Sequence, residues 1–288
     1  MAKRNMIWLA SYPKSGNTWF RVFLTNLLFE SDMPANINDL AETSISSSRK
    51  IFDEYTGLSS ADLTFEEVDR LRPDVYRLQS EESDELLFKK AHDRFVFVNK
   101  NQPLFPPEIT KGAIYFVRNP LDVLVSFAYH SARPVNKMIG VLNNPDYAFC
   151  DKEDKLQNQL RQKLGSWSVH VKSWTEQTEL PVHVVRYEDM VNETYKTFEK
   201  AVQFIGLNKP EKKIKNALKS SDFSVLSEQE SKGGFKEKMI KSKSFFRQGK
   251  IGDWRNHLSK SEMNKIIWQH QEIMSKFGYI NENGEPVF

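Results

Sequence analysis

"WLASYPKSGNTWFR", residues 8–21, is the stretch from which the rest of the chain is read. A short apolar run stops at Ser11 and Tyr12, Pro13–Gly16 follows, and an aromatic-rich segment then opens. Met6–Ala10 has the character of a buried strand. Trp19, Phe20, Phe23, Leu24, Leu27 and Leu28 recur at helical spacing, which predicts a helix starting near Ser15–Asn17. Strand, tight loop and helix N-terminus together suit an anion, because the loop and the first helical turn aim backbone N–H groups at one place. The nucleotide-triphosphatase pattern G-x-x-x-x-G-K-[ST] is missing, since Lys14 precedes Gly16. The loop alone leaves open which anion it holds.

Working outward, "ELLFKKAH" (85–92), "GAIYFVRNPLDVLVSFAYH" (112–130) and "PVHVVRYED" (181–189) each contain a strand candidate that ends in charged residues. Asn119 is placed to cap a helix, with Pro120 at its first position and Asp122 in its first turn. Leu156, Leu160, Leu164, Trp167, Val171 and Trp174 step by three or four and predict one long helix. "TYKTFEKAVQFIGL" (194–207) predicts a helix stopped by Gly206, and Ser259 with Glu262 a capping box opening a last helix that ends near Gly278. Residues 31–85 read as a peripheral helical excursion, 131–153 as irregular and 220–258 as largely loop.

Alternating strands and helices predict an α/β fold over residues 1–288: a single three-layer domain whose central parallel sheet is flanked by helices. Ligands of such sheets bind at the carboxyl ends of the strands. Here those ends read Tyr12–Lys14, Lys90–His92, Arg118–Asn119 and Arg186–Tyr187.

The chain has 288 residues, 39% of them hydrophobic, and a formal net charge of +3. That is core enough for a large domain, and too small a basic excess for a nucleic-acid binder. Residues 30–88 are acidic and 208–260 basic. The basic stretch fits either a solvated lysine-rich surface or a field that draws in a polyanionic small molecule. Cys150 is the sole cysteine, so no intrachain disulfide or cysteine-rich zinc site is possible, and it reads as structural. No apolar run approaches membrane-spanning length, and "MIWLA" (6–10) is too short for a signal-peptide core. The expectation is a cytoplasmic protein without a membrane partner. His130, His170, His183, His257 and His270 show no metal-ligand spacing, so no metal is expected.

"YPKSGNTW" (12–19), "FVRNPLDVLVSFAYH" (116–130) and "RQGKIGDW" (247–254) occur in this order. They closely resemble the two cofactor-binding segments and the C-terminal loop of sulfotransferases that use 3′-phosphoadenosine-5′-phosphosulfate (PAPS). "KAH" (90–92) resembles that family's Lys-x-His, and "VVRYEDM" (184–190) its fourth strand. The resemblance runs from about residue 6 to residue 280 and is weakest at 31–85 and 131–165, the segments expected to face the acceptor. "WLASYPKSGNTW" and "GSWSVHVKSWTE" (165–176) are similar to bacterial enzymes that modify natural products.

The resemblance implies transfer of a sulfuryl group to a hydroxyl or amine of a small-molecule acceptor, leaving adenosine 3′,5′-bisphosphate (PAP). It implies that the loop Lys14, Ser15, Gly16, Asn17 and Thr18 takes the 5′-phosphate, with Lys14 countering charge on the bridging oxygen. It sets Arg118 and Ser126 on the 3′-phosphate, where the planar guanidinium can bind in a fork. Trp19 is a candidate to stack on adenine or, alternatively, a core anchor of the first helix. Tyr187, Ser221 and Phe223 fall where the family contacts adenine. Arg247, Gln248 and Gly249 resemble its Arg-Lys-Gly, with Gln248 in place of the lysine. His92 is the candidate general base, or else only a strand-end histidine, and Lys90 a partner for the sulfonate oxygens. A kinase of the phosphate-loop type and a catalytically inactive nucleotide binder are the rival readings.

Overall fold

The protein is described by a computed structural model over residues 3–29 and 33–288. Chain order begins β1 (Met6–Ser11), α1 (Asn17–Leu28), α2 (Arg49–Thr56), α3 (Phe65–Glu82), β2 (Leu87–Ala91), β3 (Phe97–Asn99), β4 (Gln102–Pro103) and β5 (Thr110–Val117). It continues α4 (Pro120–Ser131), α5 (Val135–Asn143), β6 (Ala148–Phe149), β7 (Gln162–Lys163), α6 (Trp167–Thr175) and β8 (Val182–Arg186). The remainder is helical: α7 (Tyr187–Asn192), α8 (Thr194–Phe204), α9 (Glu211–Ser220), α10 (Phe223–Gly233) and α11 (Lys260–Lys276). The central parallel sheet has the order β2-β1-β5-β8, and the fold is the expected α/β one. The chain builds outward from β1 in both directions, so β1 lies at the switch point where such sheets bind ligands. Its register with β2 runs from Met6 opposite Leu87 to Ala10 opposite Ala91.

The chain groups into two compact units. The first comprises Met1–Tyr12, Glu42–Tyr115 and Pro145–Val184. Met6–Ala10 are fully buried in it. Trp8 anchors this core: its indole N–H donates to Thr110 Oγ1 at 2.9 Å, and its ring meets Tyr76 and Phe105 edge-on at 5.1 and 4.8 Å. Tyr76 belongs to α3, so the predicted peripheral excursion instead packs against the central strand. A Thr64–Glu67 capping box starts α3, satisfying N–H groups that the first turn leaves open. The long helix predicted from Leu156 begins only at Trp167, behind a Ser166 cap. Upstream, Leu160 N–H donates to Ser47 O, and Leu164 and Gly165 N–H both donate to Tyr147 O. Those bonds replace a helical ladder. Leu160 is buried against Phe52 of α2 and Val68 and Val75 of α3, and Leu164 is buried too, although neither lies in a helix; Leu156 is 67% exposed.

The second unit comprises Pro13–Ala41, Phe116–Asn144 and Val185–Phe288. Phe20 and Phe23 of α1 pack with Phe198 of α8 at 5.5 and 4.7 Å, and Phe20 meets Phe116 at 5.1 Å. Two helices stand where the sequence pattern predicts irregular chain. In α5, Met138, Ile139 and Leu142 are buried. In α10, capped by Asp222, only Leu226 and Glu230 are buried, which leaves little apolar periodicity to read. The Glu230 carboxylate accepts the N–H groups of Phe245 and Phe246 at 2.7 and 2.9 Å and so ties the following loop to α10. The predicted caps at Asn119 and at Ser259 with Glu262 are present.

Candidate active site

All residues expected to hold the nucleotide lie in the second unit. Lys14 and Gly16 both take left-handed backbone conformations, with φ of 73° and 100°. For a lysine that region costs energy and is held only where surrounding contacts enforce it. The loop thereby turns sharply into α1, whose N-terminus has no side-chain cap at Gly16. Glycine is required there on a second count: a Cβ would lie 2.9 Å from the Tyr187 ring. Ser15 is fully buried, and its hydroxyl has no hydrogen-bond partner among the described residues. Asn17 is buried and Thr18 half-buried. The Lys14 ammonium sits 3.8 Å from the centre of the Phe245 ring, a cation–π contact.

Arg118 leaves β5 at its carboxyl end. Its guanidinium lies 4.0 Å over the Tyr187 ring, donates to the Lys14 carbonyl at 3.3 Å and to the Lys250 carbonyl at 3.0 Å. One side chain thus joins the N-terminal loop to the C-terminal one. Its Nε is buried without a partner among the described residues. Asp122, 4.0 Å from Arg118, accepts the N–H groups of Gly252 and Trp254 at 2.8 and 3.1 Å. Ser126, one turn further along α4, is half-buried. Arg247 stacks 4.5 Å over Tyr129 and forms an ion pair with Asp253. Gln248 and Gly249 are exposed, and a Cβ on Gly249 would come within 2.7 Å of Phe223.

Trp19 is half-buried, edge-on to Phe198 at 5.2 Å and to Tyr187 at 6.2 Å. Its indole N–H is buried without a partner among the described residues. The Ser221 hydroxyl is engaged at the end of α9, donating to Ala217 O at 2.8 Å. Glu188 went unnoticed in the sequence. It is fully buried, and its carboxylate accepts the Asn119 N–H at 3.0 Å and the Tyr279 hydroxyl at 3.1 Å. Burial pushes its carboxyl up from the ordinary value.

Lys90 and His92 lie in the first unit, at the end of β2. Lys90 is half-buried, and its backbone pairs with Ser44 O and Ser46 N–H, which cover that strand's edge. His92 is half-buried; its Nδ1 lies 2.9 Å from the Ser11 carbonyl and 3.5 Å from Ser11 Oγ. A carbonyl can only accept, so Nδ1 carries the proton and Nε2 is the acceptor nitrogen, the form a general base needs. Asp93 faces away into the core, paired with both terminal nitrogens of Arg72 at 2.6 and 3.2 Å. It also accepts the Lys163 N–H at 3.0 Å. Ring N–H groups hold the two backbone carbonyls here: His170 Nε2 is 3.0 Å from His92 O and Trp174 Nε1 is 3.0 Å from Asp93 O. His170 is fully buried, which lowers its pKa to about 3. The roles of Arg72, His170 and Trp174 are not legible in the sequence: nothing there singles out Arg72, Trp174 reads only as one apolar step of a predicted helix, and His170 only as a histidine without metal-ligand spacing.

These parts define an α/β protein with, in its second unit, a strained, cation-bearing loop at a helix N-terminus and, in its first, a histidine held by its Nδ1 at a strand end. Comparison with known proteins gives the family. The sulfotransferase domain matches residues 4–278, so the chain belongs to the sulfotransferases. It is 29% identical to rat sulfotransferase 2A1 over 67% of this chain and 68% of the relative. It is 25% identical to flavonol 3-sulfotransferase of Flaveria bidentis over 92% and 80%. The fold matches mouse sulfotransferase SULT7A1 complexed with PAP at a TM-score of 0.61 and 19% identity, covering 98% of this chain and 88% of that one. It matches retinol dehydratase in complex with androsterone and inactive cofactor PAP at 0.60 and 18%, covering 98% and 84%. Among the described residues no helix is long and apolar enough to cross a membrane.

Proposed function

We propose that the chain moves a sulfuryl group from PAPS to a hydroxyl or amine of a small natural-product acceptor and releases PAP. The observation that carries this reading is Arg118, which bridges the Lys14 loop and the Lys250 loop through backbone carbonyls while its Nε has no partner among the described residues. A cation so held suits a ligand with phosphates at two positions. The buried Ser15 hydroxyl, without a partner among the described residues, fits such a group as well. Two of the fold relatives were solved with PAP, which supports the same donor.

When bound, the donor presents a sulfuryl group on a phosphate leaving oxygen. Lys14 and the N–H groups of the loop stabilise the negative charge gained by that oxygen as its bond to sulfur breaks. Lys90 offsets charge on the sulfonate oxygens. His92 Nε2 takes the acceptor's proton as the new bond to sulfur forms. Arg118 and Ser126 hold the 3′-phosphate, with Arg247, Gln248 and Gly249 closing over it. Trp19, Tyr187, Ser221 and Phe223 border adenine.

The test supplies PAPS or ATP together with a panel of small alcohols, phenols and amines, and follows PAP or ADP release by chromatography. PAP release that depends on the acceptor is the expected result. ADP release would favour a kinase. Tight PAP binding with no turnover on any acceptor would favour an inactive binder.

A further inference from the structure

α6 presents two ring N–H donors one turn apart, at His170 and Trp174, and each ends on one of two consecutive backbone carbonyls, those of His92 and Asp93. We propose that α6 acts as a two-pronged clamp and that His170 is a positioning residue for His92. This rests on the reading of His92 as the general base.

The hydrogen bonds run in one direction and fix every tautomer on the way. Burial holds the Tyr115 hydroxyl well above its usual pKa, so it stays a donor, and it reaches His170 Nδ1 at 2.8 Å. His170 Nδ1 therefore accepts, and the ring proton sits on Nε2, aimed at the His92 carbonyl. His92 in turn gives its Nδ1 proton to the Ser11 carbonyl. Backbone and ring of His92 are thus both held by hydrogen bonds, and in the neutral ring Nε2 is the acceptor nitrogen. Full burial keeps His170 neutral, so the donor persists across working pH. Both carbonyls end on fully buried donors, so each bond satisfies a backbone acceptor and also fixes its direction. The Asp93 side of the clamp is reinforced by Arg72, a buried guanidinium paired with a buried carboxylate. The donor pair lies in "GSWSVHVKSWTE" (165–176), a segment to which the nucleotide site assigns no task.

The test compares His170→Leu, His170→Gln and Trp174→Phe with His92→Ala, each assayed for kcat and for PAP Kd. Glutamine can keep an N–H for the His92 carbonyl and an oxygen for the Tyr115 hydroxyl; leucine can keep neither. His170→Leu should lose about 10–100-fold in kcat, the scale of a small misplacement of a catalytic group, with PAP Kd nearly unchanged. His170→Gln should recover most of that loss. In a His92→Ala background His170→Leu should cost nothing more, since the two act as one unit. Histidine ring ¹⁵N spectra should show His92 protonated at Nδ1 in the wild type and in His170→Gln, but a tautomer mixture in His170→Leu. Wild-type kcat and an unchanged His92 tautomer in His170→Leu, with His92→Ala inactive, would overturn the clamp and leave the base reading standing. An active His92→Ala would instead remove the base reading itself. Should His170→Leu not fold, Trp174→Phe makes the same test at the second prong: a smaller kcat loss with normal PAP binding supports the clamp, and no loss opposes it.

Discussion

Around Lys14 and Arg118 the cations meet aromatic faces and backbone carbonyls: Lys14 meets Phe245, and Arg118 meets Tyr187 and the carbonyls of Lys14 and Lys250, with the Asp122 carboxylate 4.0 Å from Arg118. Around His92 the pairing is tighter. The nearby cation Arg72 is matched by Asp93 inside the core, and both backbone carbonyls of residues 92–93 have donors. Rings and carbonyls orient a cation without cancelling its charge, and a carboxylate at 4.0 Å offsets it only in part, so an incoming polyanion would still meet a positive field. A neutral acceptor offers no field to exploit, and a base acting on it gains from fixed geometry instead. On the proposed function, the nucleotide region would be organised for charge that arrives with the ligand, and the region of His92 for a proton that leaves it.

The largest effect expected from this contrast is at His92. His92→Ala should reduce kcat on an aliphatic alcohol by about 10²–10⁴-fold while PAP binds normally. Lys14→Ala should also lose most turnover and keep measurable PAP affinity, because its partner is charge that develops in the transition state. Calorimetry with PAP and stopped assays on each variant make the comparison. If both variants lost affinity and turnover in equal proportion, the two regions would not differ in the way described.

Arg118→Ala comes next. It should weaken PAP by about 2–4 kcal/mol, the usual cost of losing one side of a desolvated charged pair. 5′-AMP lacks the 3′-phosphate and should lose far less. Equal losses for the two ligands would mean that Arg118 serves only to tie the loops together.

Acid should lower stability through a buried histidine in each unit, His170 and His270. His170 is neutral in the folded protein, with a pKa of about 3 against 6.5 for an unperturbed histidine, the result of burial. The unfolded chain therefore binds more protons, and the stability present above pH 6.5 is lost as pH falls toward 3. The loss should be roughly 3 kcal/mol at the low end, after allowance for a compact unfolded state. His270, lowered by burial to about 4, adds in the same direction. Urea midpoints between pH 7 and 4.5 should fall less steeply in His170→Gln than in the wild type. Parallel slopes would show that His170 does not titrate on unfolding.

What could be read from the sequence follows the same divide. The Lys14 loop, the Asn119 cap and the strand ends could be read because local rules govern them: a loop chemistry, a capping position, an apolar run. The clamp on His92 could not. Arg72 and Asp93 are 21 residues apart, and His170 and His92 are 78 apart, so only the folded chain shows that they meet. The apolar steps of Leu160 and Leu164 misled for a related reason: a buried side chain gives the same signature whether or not its own backbone is helical. In α10 the buried positions include a glutamate that serves two backbone N–H groups, and a polar residue in that role gives no hydrophobic signal.

The smallest predicted effect sharpens the contrast from the nucleotide side. Gln248 stands where the resembling motif has a lysine, in a segment whose neighbouring Arg247 is already paired with Asp253. It is exposed, so a lysine there can be added without burying charge. Gln248→Lys should tighten PAP by about 0.5–1 kcal/mol, the scale of an exposed ion pair. The gain should shrink as salt rises from low to physiological strength, because exposed charges are screened over about 8–10 Å. The same substitution should leave kcat at saturating donor unchanged, since it adds field equally to ground and transition states. A change in kcat with no change in PAP affinity would place residue 248 on the reacting sulfuryl group and not on the 3′-phosphate. A gain insensitive to salt would mean that the lysine acts by ordering the 247–254 loop rather than by its charge.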